Sequence, residues 1–258
     1  MTKNIFKSPD WVPRVPVGTR ILITGATGGL GRALVRMLLK GSTCMIGVHG
    51  SSQELKIDDD RIIPLSQTFS DENSCCVLVD NYVEQSGGID ALVILSGSIG
   101  YSGHWMDMSS GDWENEICVN LNHPFYLARK AMKYMISQKT GGRIIFTGTE
   151  SALHGGSSSS FPYAISKRGT ECMVQGLARE GAKDGILVNG MRLGCIASGF
   201  HERWHNKTRE DMEKRVELIP LKRAGDPDEV AAFIIYLLSG YGGFITGQML
   251  PITGGDWL

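Results

Sequence analysis

No apolar run in this sequence approaches the roughly 18 residues needed to cross a bilayer, so a helical membrane span is excluded. The first residues, MTKNIFKSPDW, lack the apolar core of a signal peptide. No excess of either charge exists: 26 Lys and Arg stand against 27 Asp and Glu. That balance leaves no basic field to hold nucleic acid or an anionic membrane. No CxxC pair occurs among the six cysteines, and adjacent Cys75 and Cys76 do not make a metal or redox motif. Cysteines scattered through apolar runs predict reduced, buried thiols and a cytoplasmic setting. No repeat or linker divides the chain, and the serine run Ser157–Ser160 is short enough to be a loop at a helix entrance.

What is present is a globular composition, 42% hydrophobic and 21% charged, which can fill one large core. The expectation is one unit over residues 1–258, with 1–18 as an N-terminal extension. RILIT reads as a buried strand, GLGRALVRMLLKG as a helix closed by Gly41, TCMIGVHG as a second strand and RIIPLS as a third. SDENSCCVLVDNYVEQSGG predicts a helix with Ser70 as N-cap and glycines at its end. DALVILSG is apolar throughout, as a strand covered on both faces should be. A long helix follows from Asp112 to Gln138, then strand GGRIIFTGT, helix PYAISKRGTECMVQGLAREGAK and strand GILVNGMRL. DPDEVAAFIIYLLSG and GQMLPIT close the chain as helix and strand. Strands alternating with helices predict an α/β fold, a Rossmann-type doubly wound parallel sheet.

Two short stretches carry chemistry. TGATGGLG, Thr24 to Gly31, falls between the first strand and the first helix, where a doubly wound sheet binds a dinucleotide. Gly25 suits a tight turn, Gly29 lets backbone approach a pyrophosphate, and Gly31 lets helix pack on strand; free N–H groups at the helix start then face the phosphates. The glycines follow TGxxxGxG rather than GxGxxG, and no GK[ST] follows, which argues against a P-loop. YAISK places Tyr163 and Lys167 one helical turn apart, so phenol and ammonium point the same way. A cation beside the phenol predicts a lowered tyrosine pKa and a proton donor to a carbonyl oxygen.

TGxxxGxG followed by YxxxK resembles the short-chain dehydrogenase/reductase family in its single-domain form, and the resemblance runs from about Thr19 to Gly255. It implies an NAD(P)-dependent oxidoreductase acting on a carbonyl or secondary alcohol, with Tyr163 as general acid/base and Lys167 also on the nicotinamide ribose. It implies cofactor contacts at Gly25, Thr27, Gly29, Leu30 and Gly31, at Ser96 and Gly97, and at Gly194, Ile196 and Ser198 of RLGCIASGF. Asn120 resembles the family asparagine that kinks its helix and holds a water of the proton relay. Counting from Gly142 and Arg143 puts the family serine at Thr149, while counting back from Tyr163 puts it at Ser151, which otherwise joins Phe200 and Trp204 on the substrate side. A lid over about 198–217 and a homotetramer, through the two long helices and the last strand, are also implied. Arg129, Lys130 and Lys133 suit an acyl-carrier protein or simply a solvated helix face.

The chain departs from that pattern in places. Ile94 and Leu95 of VILSG replace two asparagines that tie the central strands, Thr68 replaces an aspartate that contacts adenine, and Leu193 stands where proline is usual. No acid follows the second strand before Glu54, so a 2′-phosphate is not repelled, and His49, Ser51 and Ser52 are candidate donors. Gly50 falls in the slot of the usual arginine, and the balance favours NADP over NAD. The missing asparagines keep open a nucleotide-binding sensor with little turnover. HERWH, His201 to His205, fits HExxH, yet no third ligand follows at metalloprotease spacing; a zinc hydrolase is the remote alternative and no metal is expected.

Overall fold

Arg20–Thr24 forms β1, in which the three consecutive aliphatic residues Ile21, Leu22 and Ile23 are all fully buried. A strand buried on both faces needs helices above and below it, and both layers are present. The computed structural model describes residues 14–51, 57–204 and 208–256, with no account of the Trp204 side chain. Pro9, Pro13, Ser52, Glu54 and His205 lie outside the described residues.

Around β1 run β2 (Met45–Gly50), β3 (Ile62–Ser66), β4 (Ala91–Ile94), β5 (Gly142–Thr149), β6 (Ile186–Leu193) and β7 (Met249–Ile252). They pair in parallel in the order β3-β2-β1-β4-β5-β6-β7. The order reverses between β1 and β4, and the crevice outside the carboxyl ends of the strands at that point is where an α/β sheet binds ligands. Helices α1 (Gly29–Gly41) and α8 (Pro227–Leu238) cover one face through Ile21, Ile23, Ile46, Leu34 and Ile234. Helices α2 (Glu72–Ser86), α4 (His123–Gln138) and α5 (Phe161–Gly181) cover the other through Leu22, Leu92, Phe146, Leu78 and Val174. No helix among the described residues is long and apolar enough to cross a membrane.

The long helix expected over Asp112–Gln138 is three pieces: α3 (Ser110–Ile117), a π-helical turn at Cys118–Asn122, and α4. Such insertions bend a helix, and they gather at functional sites. The N-cap of α2 is Asp71 rather than Ser70, because the Asp71 carboxylate accepts from the Ser74 N–H at 2.8 Å in a capping box. Gly41 is the last residue of α1 rather than its terminator, and extended Ser42 caps it. The expected lid carries α6 (Phe200–Trp204) and α7 (Arg209–Glu217). Val15 of the N-terminal extension is buried, its N–H donating to the Ser42 hydroxyl at 3.1 Å. Cys44, Cys75 and Cys195 are buried free thiols, but Cys172 is exposed because it falls on the outward face of α5.

Ile94 and Leu95 do not leave the central strands untied. Ile94 is buried in the α2/α4 core and Leu95 packs toward the α1/α8 core. The Thr147 hydroxyl donates to the Ile94 carbonyl at 3.0 Å, and the Thr24 and Ser96 hydroxyls pair at 2.9 Å across β1 and β4. Packing and three hydroxyls tie the central strands where the family pattern has asparagines.

Candidate active site

The turn between β1 and α1 opens a cleft of about 860 Å³ at the switch point. Gly25 sits at φ +70°, and a side chain there would meet the backbone of Leu95 and Ser96 at under 3 Å. A Cβ on Gly31 would lie 2.4 Å from the Ala26 Cα, so only glycine lets α1 start this close to the turn. Gly29 meets the chain itself: its Cβ would lie 2.3 Å from the Ser198 carbonyl, so the segment after β6 rests on the turn. The N-terminus of α1 has Gly28 as cap with no side-chain hydrogen bond and no acid in its first turn. Its N–H groups are free for an anion.

Thr27, Leu30, Ser51, Ser96, Gly97, Gly194, Ile196 and Ser198 all line the same cleft, as do Thr149, Ser151, Tyr163, Lys167 and Phe200. Gly97 forms its floor, where a Cβ would come within 3.1 Å of Asn120 Oδ1 and 3.5 Å of Lys167 Nζ. Gly194 and Ile196 are held by backbone pairing: the Gly194 N–H donates to the Ile252 carbonyl at 3.0 Å, and Ile196 bridges Gly225. The residues present therefore fit a dinucleotide: free N–H groups at the α1 terminus suit phosphates, and Tyr163 and Lys167 line the same cleft.

Tyr163 and Lys167 share a face of α5, as their spacing requires. Lys167 is almost fully buried, and its Nζ donates to the Thr147 carbonyl at 3.0 Å. Burial lowers its pKa to about 8. The expected lowering of the Tyr163 pKa is not found: burial raises it, and nearby Glu116 adds to the rise. The physical reason is the direction of the lysine, whose Nζ lies 5.6 Å from the phenol ring centroid and is engaged elsewhere. Phe200 approaches the Tyr163 ring at 6.2 Å between centroids, bringing the lid to the phenol. Thr149 and Ser151 both reach the cleft, and their hydroxyls pair with each other at 3.1 Å.

Asn120 lies in the π-helical turn and is fully buried. Its amide nitrogen donates to the Ser98 carbonyl at 2.8 Å, and its Oδ1 accepts from the Ser98 N–H at 3.2 Å. Asn120 thus clamps the loop that follows β4. The sequence reading missed Glu116, one turn earlier and also buried, whose Oε1 accepts from the Gly100 and Tyr101 N–H groups. Its Oε2 takes the Asn120 amide at 3.2 Å. The signal was there: residues four apart share a helix face, so an acid one turn before a buried asparagine points inward too. Also missed was the ion cluster behind Thr149, where Arg192 pairs with Glu150 at 3.1 Å and reaches Glu171 at 3.8 Å.

The basic residues of α4 are mostly paired within the chain. Arg129 pairs with Glu72 and lies over Phe125, and Lys130 pairs with Asp80 at 2.8 Å. They read as a solvated, neutralised face. His201 begins the HERWH stretch on five-residue α6 and lines the cleft. Among the described residues no three His, Cys, Asp or Glu side chains are grouped to hold a metal.

A family model described as enoyl-(acyl carrier protein) reductase matches residues 49–256. The chain belongs to the short-chain dehydrogenase/reductase family. It is 33% identical over 243 residues to 3-oxoacyl-(acyl-carrier-protein) reductase FabG of Rickettsia typhi, covering 92% of this chain and 96% of that protein. It is 28% identical over 252 residues to glucose 1-dehydrogenase 2 of Bacillus subtilis, covering 92% and 94%. A short-chain type dehydrogenase/reductase from Mycobacterium ulcerans superposes with a TM-score of 0.81 over 93% of this chain and 90% of that one. At 20% identity that likeness speaks for the fold alone. As a member of this family the protein is an NAD(P)-dependent oxidoreductase.

Proposed function

We propose that this protein transfers a hydride between NADP(H) and a carbonyl or secondary alcohol, with Tyr163 giving or taking the proton on the substrate oxygen. One observation carries the reading: the glycine turn, Tyr163, Lys167 and the Thr149–Ser151 hydroxyl pair all line one cleft. A bound nicotinamide supplies or accepts the hydride there. Thr149, with Ser151 as its partner, donates a hydrogen bond to the substrate oxygen, and Tyr163 exchanges the proton with it. Lys167 leaves the Thr147 carbonyl to hold the ribose, and its charge then favours phenolate. Asn120 keeps the Ser98 loop in place and orders a water of the proton relay.

NADP is favoured over NAD because β2 ends without an acid and exposed Ser51 lies at the cleft. Gly50 lines the cleft beside it, so an aspartate placed there would oppose a 2′-phosphate. A β-ketoacyl thioester is the substrate class that the relatives' names favour, and Phe200 at the cleft supplies apolar contact to it. The paired state of Arg129 and Lys130 weighs against a carrier-protein surface on α4. A cytoplasmic homotetramer through α4, α5 and β7, each protomer one dinucleotide-binding and catalytic unit, completes the reading. The test is a panel of ketones and acyl thioesters with NADPH and NADH, followed at the nicotinamide absorbance. Tyr163→Phe should lower turnover at least a hundredfold with cofactor binding intact, while Lys167→Ala should damage both. A Tyr163→Phe protein keeping more than about a tenth of wild-type turnover overturns the assignment, and catalysis that prefers NADH overturns the cofactor.

A further inference from the structure

His49 lies on the last turn of pleat in β2, about twenty residues beyond the glycine turn, where dinucleotide-binding chains hold the group that reads the adenosine ribose. Val48 before it points into the α1/α8 core, so alternation turns His49 to the other face of the sheet. There its ring stacks on Phe69 at 4.7 Å and 23°, 2% exposed yet lining the cleft. Nε2 lies 2.8 Å from the Gln67 carbonyl. A carbonyl only accepts, so Nε2 carries the proton, and the neutral ring leaves Nδ1 as a bare acceptor. That nitrogen is buried and has no hydrogen-bond partner among the described residues. Unsatisfied buried nitrogens are rare enough in folded proteins to ask what completes them.

We propose that His49 Nδ1 reads the 2′ position of the adenosine ribose, accepting from a hydroxyl while the imidazole is neutral and donating to a 2′-phosphate once it is protonated. This rests on the dinucleotide reading of the cleft. Held by Gln67, the ring has one free nitrogen whose hydrogen-bonding sense reverses with a single proton. The neighbours do not fix that proton. Burial lowers the His49 pKa, the Gln67 carbonyl opposes this, and no carboxylate or cation among the described residues contributes. The titratable groups on the elements around it are Asp71 and Cys75 of α2, Cys118 of the π-helical turn, and His123 of α4. Asp71 acts on His123, which meets Phe69 at 5.7 Å from its other side. Glu54 and Lys56 lie outside the described residues.

The sign follows. A 2′-phosphate favours the protonated ring, so its binding takes up a proton and strengthens as pH falls; a 2′-hydroxyl favours the neutral ring and weakens. Fluorescence titration of the full chain with NADPH and NADH, from about pH 6 to about 8.5, reads this without turnover. The preference for NADPH over NADH should grow about tenfold toward the acid end, the factor for one unit of raised pKa. His49→Asn stays polar but cannot titrate, and it should flatten the ratio while melting normally without cofactor. Calorimetry of the wild type in two buffers of different ionisation enthalpy gives a second reading that needs no variant: NADPH should take up more protons than NADH. A ratio that does not rise toward acid, or rises as steeply in His49→Asn, overturns the proposal. NADPH preferred equally at every pH sinks the His49 role alone, whereas NADH preferred at every pH sinks the NADP reading with it.

Discussion

The Thr149 and Ser151 hydroxyls lie 3.1 Å apart, so the two candidates for one catalytic position are partners in one hydrogen bond. One hydroxyl can donate to the other and leave the second free to donate into the cleft. Thr149→Ala should lower kcat by about a hundredfold, the loss typical of one donor to a developing oxyanion. Ser151→Ala should cost less, about tenfold, by releasing the Thr149 hydroxyl from its set orientation. The double variant should be little worse than Thr149→Ala. Equal and multiplicative losses in steady-state kinetics would mean that the two act separately.

Lys167 carries the cost of a buried ammonium. An unfolded lysine titrates at about 10.4, and burial brings the folded value to about 8. Below the folded value both states hold the proton, and the buried ammonium costs stability in full. Between the two values the unfolded chain holds more protons, so stability rises with pH; above the unfolded value the cost is gone. Lys167→Met, without a charge, should stabilise the cofactor-free protein near neutral pH by about 2 kcal/mol, after losing the hydrogen bond to Thr147. Calorimetry should show a melting point several degrees higher that converges on wild type near about pH 10. A lower melting point at neutral pH would show that the Thr147 bond outweighs burial.

Glu116 holds both the loop after β4 and the Asn120 amide, so its removal should loosen the floor of the cleft without touching substrate. Glu116→Ala leaves the Gly100 and Tyr101 N–H groups without their acceptor and should cost about 2 kcal/mol in urea unfolding. Glu116→Gln keeps one acceptor oxygen and should recover about half of that. Cofactor Kd should weaken in step with stability across the two variants, while the pH profile of kcat moves to lower pH in both, because each removes the Glu116 charge that raises the Tyr163 phenol. A profile that stays put would mean that the Glu116 charge does not act on the proton donor.

Elements buried on both faces were plain in the sequence: RILIT and GILVNGMRL form the strands they spell, because no other state hides such runs. The glycine turn and the Tyr163–Lys167 spacing were equally legible, since each is a local pattern with a local purpose. What could not be read depends on groups distant along the chain. The direction of Lys167 Nζ is set by a carbonyl on β5, and the bare nitrogen of His49 by the Gln67 carbonyl after β3. The break at Cys118–Asn122 is followed by Pro124 in the first turn of α4, a residue that cannot continue a helical ladder, yet the apolar pattern runs on past it and spells one helix; apart from that proline, only the resemblance pointed to a kink at Asn120.

The Ser198 carbonyl fills the space that a side chain on Gly29 would need, so the cleft has a wall supplied from far down the chain. A nascent chain emerging from the ribosome carries its complete phosphate-binding turn early, yet the turn stays open until β6 has been made and has docked. Contacts of such long sequence separation form late and slowly. A ribosome-stalled chain ending before Ser198 should therefore show no nucleotide protection, however well its first strands are paired. The dinucleotide can act on this protein's folding only near the end of synthesis, as a clasp on a nearly finished sheet.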